Sequence, residues 1–192
     1  QADHSLAVMA GLGDGDVFTT VLATAPQRAI WLAINLATAI LAASVIAFYQ
    51  DTIEKVVALA VLMPIVASMG GIAGTQSLTV LIRAMAMGQI NDRTEIWLVR
   101  REIFVSIING LIWAFVIAII AAYWFDDTTL GLIIAFAIII NLITAGIAGA
   151  SLPLILDRLR IDPALAGGVV LTTITDVVGF FAFLGVAAYF YN

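Results

Sequence analysis

IDPALAGGVVLTTITDVVGFFAFLGVAAYF, residues 161–190, is an apolar run with one acidic residue in its middle. From Ala164 to Phe190, Asp176 is the only Asp, Glu, Lys or Arg. A helix of about 20 apolar residues crosses a bilayer, so this stretch predicts a transmembrane helix. At roughly 1.5 Å rise per residue, Asp176 lies about 21 Å beyond Asp162. The carboxylate is therefore expected deep in the membrane.

Asp176 is the first candidate functional residue. Acidic side chains inside a membrane usually face a bundle interior or an aqueous path and mark ion or proton routes. Gly168, Thr172, Asp176 and Gly179 follow at spacings of four, four and three, which places them on one side of a helix. Small and hydroxylic neighbours leave room for water or a hydrated ion. The alternative is a protonated Asp176 that only hydrogen-bonds a neighbouring helix.

Composition defines the class of protein. The chain is 63% hydrophobic and 11% charged, with a mean hydropathy of +1.13, which indicates an integral membrane protein whose surroundings are a lipid bilayer. A net charge of −5 without a basic patch argues against a nucleic-acid partner. The chain has no cysteine, and its only histidine is His4 in the polar N-terminal tail. Thiolate sites and intramembrane imidazole sites are thereby excluded.

Five apolar segments divide most of the chain, at about residues 29–49, 53–87, 96–124, 130–156 and 164–190. We therefore predict an all-α, polytopic membrane protein with five transmembrane helices. Residues 1–27 form a short lead-in, and residues 28–192 form the membrane domain. Because the chain begins at Gln1 without an initiator methionine, we expect a membrane domain cut from a longer polypeptide.

The basic residues give the predicted orientation. Five spans place alternate loops on opposite sides of the membrane, and the positive-inside rule assigns the arginine-rich side to the cytoplasm. This predicts a cytoplasmic N-terminus and an outer C-terminus. Lys55 is then the only basic residue outside. The basic residues inside are Arg28, Arg83, Arg93, Arg100, Arg101, Arg158 and Arg160.

The second segment is the least regular one. Pro64 removes a backbone donor and Gly70-Gly71-Ile72-Ala73-Gly74 follows it, so we expect the helix to kink or unwind near its middle. Freed carbonyls at such a break are ready cation ligands. The alternative is a packing face formed by Gly70 and Gly74. In two other segments, Asn109 and Asn141 either line a conduit or form hydrogen bonds between helices.

Three motifs together resemble a known family. They are PIVASMGGIAGTQ at 64–76, DPAL at 162–165 and LTTITDVVG at 171–179. They resemble the membrane domain of MgtE-type magnesium channels, from about Arg28 to the C-terminus. The resemblance implies a homodimer in a bacterial inner membrane, with a pore lined by the second and fifth helices. A largely hydrated Mg²⁺ would lie between the two Asp176 carboxylates, with Mn²⁺, Co²⁺ and Ca²⁺ as further candidate ions.

The resemblance also implies roles for individual residues. Asp176 corresponds to the pore carboxylate, and Gly71 to the residue whose carbonyl faces the ion or its water. Ile72, Thr75 and Gly168 stand where the family often has asparagine, so the pore has fewer amide ligands. The further expected pore-lining residues are Thr75, Thr79, Gly168 and Thr172, of which Gly168 and Thr172 share the helix side of Asp176.

Regulation in the family depends on a cytosolic region with paired CBS domains, which senses magnesium and closes the pore through a connecting helix. The resemblance makes residues 1–27 a remnant of that connector, and those cytosolic domains the missing partners of this chain. We therefore expect the chain to conduct without magnesium-dependent closure.

Two other functions are compatible with the sequence. A proton-coupled divalent-metal carrier would use Asp176 as its titrating group, and a membrane scaffold would not need it. An enzyme is not expected, because the sequence has no nucleophile paired with a base and no cofactor motif.

Overall fold

The computed structural model describes residues 21–191, which form six α-helices and no strands. Five of these helices, all except the short α2, are long and apolar enough to cross a membrane. The predicted all-α architecture with five spans is confirmed. The helices are α1 (Val21–Phe48), α2 (Gln50–Lys55), α3 (Ala58–Ala86), α4 (Asp92–Phe125), α5 (Thr128–Arg158) and α6 (Pro163–Tyr191).

The predicted lead-in is only partly visible. His4 and residues 1–20 lie outside the described residues, so the connector stays a prediction there. The rest of the lead-in belongs to α1, which is helical from the first described residue, Val21, and continues through Pro26 into the first span. No helix end therefore marks the predicted boundary at residue 28.

Local capping explains where two helices begin. Asn91 precedes α4, and its side chain accepts hydrogen bonds from the N–H groups of Arg93 and Thr94, while the Thr94 hydroxyl accepts one from the Asn91 N–H. This reciprocal arrangement satisfies backbone donors that a helix start leaves free. At α6, Asp162 Oδ1 accepts from the Ala164 N–H at 2.9 Å, as expected for Asp-Pro at a helix start.

The second apolar segment differs from the prediction of a broken helix. The chain leaves helical geometry earlier, between Lys55 and Ala58, and α3 then continues without interruption through Pro64, Gly70 and Gly74. Proline removes a single backbone donor, and both glycines are packed against other helices. A Cβ on Gly70 would overlap the Asn141 side chain, and one on Gly74 would lie 2.8 Å from Leu171 Cδ1. These glycines therefore provide close packing, and the backbone between them is not unwound.

α5 is the most buried of the spans, and α3, α4 and α6 pack around it. α1 packs mainly on α6, and α4 packs mainly on α5. The apolar core lies where α3, α5 and α6 meet; its fully buried side chains include Leu62, Ile134, Leu142, Phe183 and Leu184. This arrangement leaves one face of α3 and one face of α6 outside the core.

Polar contacts mark the two ends of the bundle. At one end, the Arg158 guanidinium pairs with Glu95 Oε1 at 2.7 Å and joins the end of α5 to the start of α4. We call it the basic end, because seven arginines lie at or near it. At the opposite end, here the acidic end, the Tyr191 hydroxyl donates a hydrogen bond to Asp127.

Candidate functional site

α3 and α6 run antiparallel in close contact. Glycines on one helix face larger residues on the other, in the pairs Leu78 with Gly167, Gly74 with Leu171, and Val66 with Gly179. Gly71 lies between the second and third of these contacts along α3, and Asp176 lies between them along α6. The structure therefore brings Gly71 and Asp176 to the same depth of the bundle.

The Asp176 carboxylate is half-buried on α6. Within residues 21–191, no donor or cation forms a hydrogen bond or ion pair with it. The preceding residue, Thr175, is instead fully buried in the bundle, and its hydroxyl donates a hydrogen bond to the Thr172 carbonyl at 3.1 Å. An acceptor group without a protein donor at membrane depth is suited to a cation or its water.

Open space lies beside Gly71 on α3 and Gly168 on α6. A Cβ added to either glycine would meet no atom within 4 Å, in contrast to the packed Gly70 and Gly167. Gly71 and Gly168 are both partly exposed, and they lie on faces of α3 and α6 that no other described helix packs against closely. The remaining member of the predicted stripe, Gly179, is instead buried against Asn141 and Val66.

The predicted threonines present oxygen atoms to this open side. Thr75 Oγ1 donates to the Gly71 carbonyl, Thr79 Oγ1 to the Thr75 carbonyl, and Thr172 Oγ1 to the Gly168 carbonyl, each at 2.8 Å. Because each hydroxyl hydrogen is directed to the backbone, the oxygen lone pairs remain available as acceptors. The Gly71 carbonyl also stays within a continuous helix, so it is better suited to contact a hydrated ion than to replace the ion's water.

A cavity of about 470 Å³ lies between α1, α3 and α6. It contains three of the predicted pore-lining residues, Thr75, Gly168 and Thr172, whereas Asp176, Gly71 and Thr79 are not among its lining residues. α1 contributes residues that the sequence analysis did not assign to the site; those of α1 are Arg28, Trp31, Leu32 and Asn35. The only signal for Asn35 was an amide within an apolar span.

Asn141 and Asn109 both form hydrogen bonds, but of different kinds. Asn141 is fully buried in α5, and its Nδ2 donates to the Val66 carbonyl of α3 at 2.8 Å. The interpretation as an interhelical hydrogen bond is therefore confirmed for Asn141. Asn109 Nδ2 donates to Val105 O within its own helix at 2.9 Å, on an exposed face.

Residues 21–191 contain no cluster of three His, Asp, Glu or Cys side chains that would hold a metal ion. Asp176 is also the only Asp, Glu, Lys or Arg of α6.

The fold and the site define a class of protein: a multi-pass membrane protein built as an antiparallel helical bundle, with a carboxylate inside one span that has no partner among residues 21–191. Residues 63–186 match the model of the MgtE family, described as divalent cation transporters. This match covers more than half of the chain, and the chain therefore belongs to the MgtE family. The family consists of transporters, not of enzymes.

Three curated relatives agree with this assignment. The chain is 34% identical to the magnesium transporter MgtE of Bacillus subtilis, over 99% of this chain and 42% of the relative. It is 30% identical to that of Enterococcus faecalis, over 95% of this chain and 40% of the relative. It is 31% identical to that of Thermus thermophilus, over 92% of this chain and 40% of the relative. The chain thus spans about two fifths of the length of these relatives.

Proposed function

We propose that this chain forms the ion-conducting domain of a divalent-cation channel that carries chiefly Mg²⁺. Two copies form a homodimer, and α3 and α6 of each line a central pore. The two Asp176 carboxylates form its ion-binding filter, and hydrated Mg²⁺ passes down its electrochemical gradient. Mn²⁺, Co²⁺ and Ca²⁺ are the competing ions against which selectivity is measured.

The observation that carries this proposal is the half-buried Asp176 carboxylate, which has no partner within residues 21–191. An isolated charge at membrane depth is unfavourable unless water or a counter-ion stabilises it. Two such carboxylates at a two-fold axis repel each other, and a dication between them removes that repulsion. Mg²⁺ dehydrates reluctantly and is commonly held through one or two carboxylates with several waters retained. A site with few direct ligands therefore suits it.

The uncovered faces of α3 and α6 support the position of the pore. Gly71 and Gly168 adjoin open space, and the threonine oxygens beside them are acceptors that can contact the water shell of a cation. These faces are the ones that a second copy would meet across the two-fold axis. Thr75, Thr79, Gly168 and Thr172 then line the pore with Asp176 and Gly71.

We further propose that the basic end is cytoplasmic, which gives an inner N-terminus and an outer C-terminus in a bacterial inner membrane. On this assignment the cavity between α1, α3 and α6 lies in the cytoplasmic half. We also propose that the same polypeptide carries cytosolic regulatory domains, since this chain spans about two fifths of the length of the curated relatives that it matches.

Flux measurements in proteoliposomes test the proposed function. Mg²⁺ influx is recorded for the wild type and for Asp176→Asn at fixed membrane potential, with and without a pH gradient. Asn preserves the size of the side chain and removes its charge, so the comparison isolates the carboxylate. The expected result is a flux driven by potential, indifferent to the pH gradient, and abolished or unselective in Asp176→Asn.

Other results would select other functions. Flux that follows the pH gradient would identify a proton-coupled carrier that titrates Asp176. Equal flux from wild type and Asp176→Asn would remove Asp176 from the pathway and, with it, the proposed filter. Absence of flux from both would favour a membrane scaffold.

A further inference from the structure

A second carboxylate lies inside the bundle, on α4. Glu102 is 5% exposed, although its neighbour Arg101 has a half-exposed side chain. Glu102 Oε2 accepts a hydrogen bond from Ser77 Oγ of α3 at 2.9 Å, and Oε1 pairs with Arg101 Nη1 at 2.8 Å. The Glu102 carboxylate is thus partnered on both oxygens, unlike that of Asp176.

Two glycines of α5 bring Glu102 and Ser77 together. Gly146 lies against α4, where a Cβ would overlap the Ser106 side chain and lie 3.4 Å from the Glu102 carbonyl oxygen. Three residues on, Gly149 lies against α3, where a Cβ would be 2.5 Å from the Gly74 carbonyl oxygen and 3.0 Å from Ser77 Cβ. Because α5 has no side chain at Gly146 and Gly149, the Glu102 side chain of α4 reaches Ser77 of α3. Elsewhere α4 and α3 make few contacts.

The position of Ser77 connects this contact to the proposed pore. Ser77 is buried, and it lies two residues after Thr75 and two before Thr79, both of which are exposed. Two residues correspond to roughly 200° around a helix. The hydrogen bond from Ser77 to Glu102 therefore holds the side of α3 that is opposite the threonines.

We propose that Glu102 is a positioning residue for ion conduction. Through Ser77 it fixes the rotation of α3 about its axis, so that Gly71, Thr75 and Thr79 face the ion path. Arg101 compensates the charge of the Glu102 carboxylate, so the effect on the ion passes through the hydrogen bond and not through a long-range field. This inference rests on the proposed function, because it requires that α3 lines the pathway.

The test compares variants that keep or remove the hydrogen bond. Glu102→Gln retains a side-chain oxygen that accepts from Ser77, whereas Glu102→Leu and Ser77→Ala each remove the bond. Glu54→Gln and Glu54→Leu are the matched controls, because Glu54 is exposed on α2 at the other end of the bundle. Mg²⁺ flux and the permeability ratio of Mg²⁺ to Ca²⁺ are measured in proteoliposomes, after gel filtration has shown that each variant is monodisperse.

We expect Glu102→Leu and Ser77→Ala to lower the Mg²⁺ to Ca²⁺ ratio by about tenfold, the effect of losing a hydrogen bond to a charged group. Glu102→Gln should stay within about twofold of the wild type, and the double variant Ser77→Ala/Glu102→Leu should be no worse than either single change. Both Glu54 variants should match the wild type.

Three outcomes would overturn the inference. If Glu102→Gln lowers the Mg²⁺ to Ca²⁺ ratio as much as Glu102→Leu does, the charge of Glu102 matters and not its hydrogen bond. An unchanged ratio in Ser77→Ala would mean that the hydrogen bond from Ser77 to Glu102 does not position α3. If Glu102→Leu fails to fold, Ser77→Ala and Glu102→Gln decide the question by themselves. A wild type without Mg²⁺ flux overturns the proposed function together with this inference, whereas a conducting wild type with a normal Ser77→Ala ratio overturns only the inference.

Discussion

The side-chain amide of Asn141 donates a hydrogen bond to the backbone carbonyl of Val66 at 2.8 Å, in the core between α5 and α3. Gly70 of α3 and Gly179 of α6 make room for this amide, because a Cβ at either position would overlap or crowd it. The Asn141 Oδ1 atom has no hydrogen-bond partner within residues 21–191. Three helices are therefore held together around one buried polar side chain.

The paired glycines of α3 give the first prediction. Gly70→Ala places a methyl group against Asn141, so we expect a loss of roughly 1–3 kcal/mol of folding free energy. Gly71→Ala is the matched control, because its methyl group enters open space and alanine favours a helix over glycine by up to about 1 kcal/mol. Thermal unfolding in detergent should show a lower Tm for Gly70→Ala only. Equal Tm values for Gly70→Ala and Gly71→Ala would contradict the close packing of Gly70 against Asn141.

Gly168 gives the second prediction, for the polar lining of the cavity. Gly168→Asn is expected to fold, because the site is open, and its amide oxygen would add a ligand for hydrated Mg²⁺ beside Thr172. The apparent Mg²⁺ affinity in flux assays should rise by a factor of roughly three, as one additional hydrogen bond to ion-bound water provides. Gly167→Asn is the control, because Leu78 lies 3.0 Å from that Cβ position and the change should destabilise the fold. An unchanged apparent Mg²⁺ affinity in Gly168→Asn would mean that the cavity is not part of the ion path.

A third prediction uses the absence of cysteine from the chain. A single Thr172→Cys substitution should react with a water-soluble thiol reagent in the reconstituted protein, and millimolar Mg²⁺ should slow the reaction. Val170→Cys, two residues away on a different face of α6, should react far more slowly, because we expect this residue to contact lipid. Mass spectrometry of the labelled protein reports both rates. Faster labelling at Val170→Cys than at Thr172→Cys would show that Thr172 does not lie on the water-filled side of α6.

The fourth prediction concerns pH and the acidic end. The hydrogen bond from the Tyr191 hydroxyl lowers the pKa of Asp127 below its ordinary value of 3.8, against the opposing effect of burial. A carboxyl group with a lowered pKa stabilises the fold above pH 3.8, and this contribution is lost as the pH falls through its folded-state pKa. Tyr191→Phe should therefore lower the Tm slightly at pH 7, and the difference from the wild type should shrink below pH 4.

Thermal unfolding from pH 3 to pH 7 measures this difference. Asp127→Asn serves as a second variant, since asparagine still caps α5 through its side-chain oxygen. The carboxylate oxygen that accepts from Tyr191 is replaced by a donor. A Tm difference between Tyr191→Phe and wild type that grows as the pH falls would contradict the predicted sign.

Much of the architecture was predictable from local sequence. The lengths of the apolar segments determine five spans, since each has to satisfy its backbone hydrogen bonds internally within lipid. Asn91 and Asp162 mark helix starts by capping, a local interaction. The depth of Asp176 follows from its distance along one helix, and the motifs around Gly71 and Asp176 led to the family.

Other features depended on which helix faces meet, and only the tertiary structure decided them. Pro64 and the glycines after it are compatible with a break or with close packing, and the contact of Gly70 with Asn141 selects packing. Gly179 shares a helical stripe with Asp176, yet α5 covers it. Asn35 joins the cavity, and Glu102 reaches Ser77, because distant segments pack side by side. Periodicity within one helix determines which residues share a face, but the partner of that face depends on contacts between residues far apart in the chain.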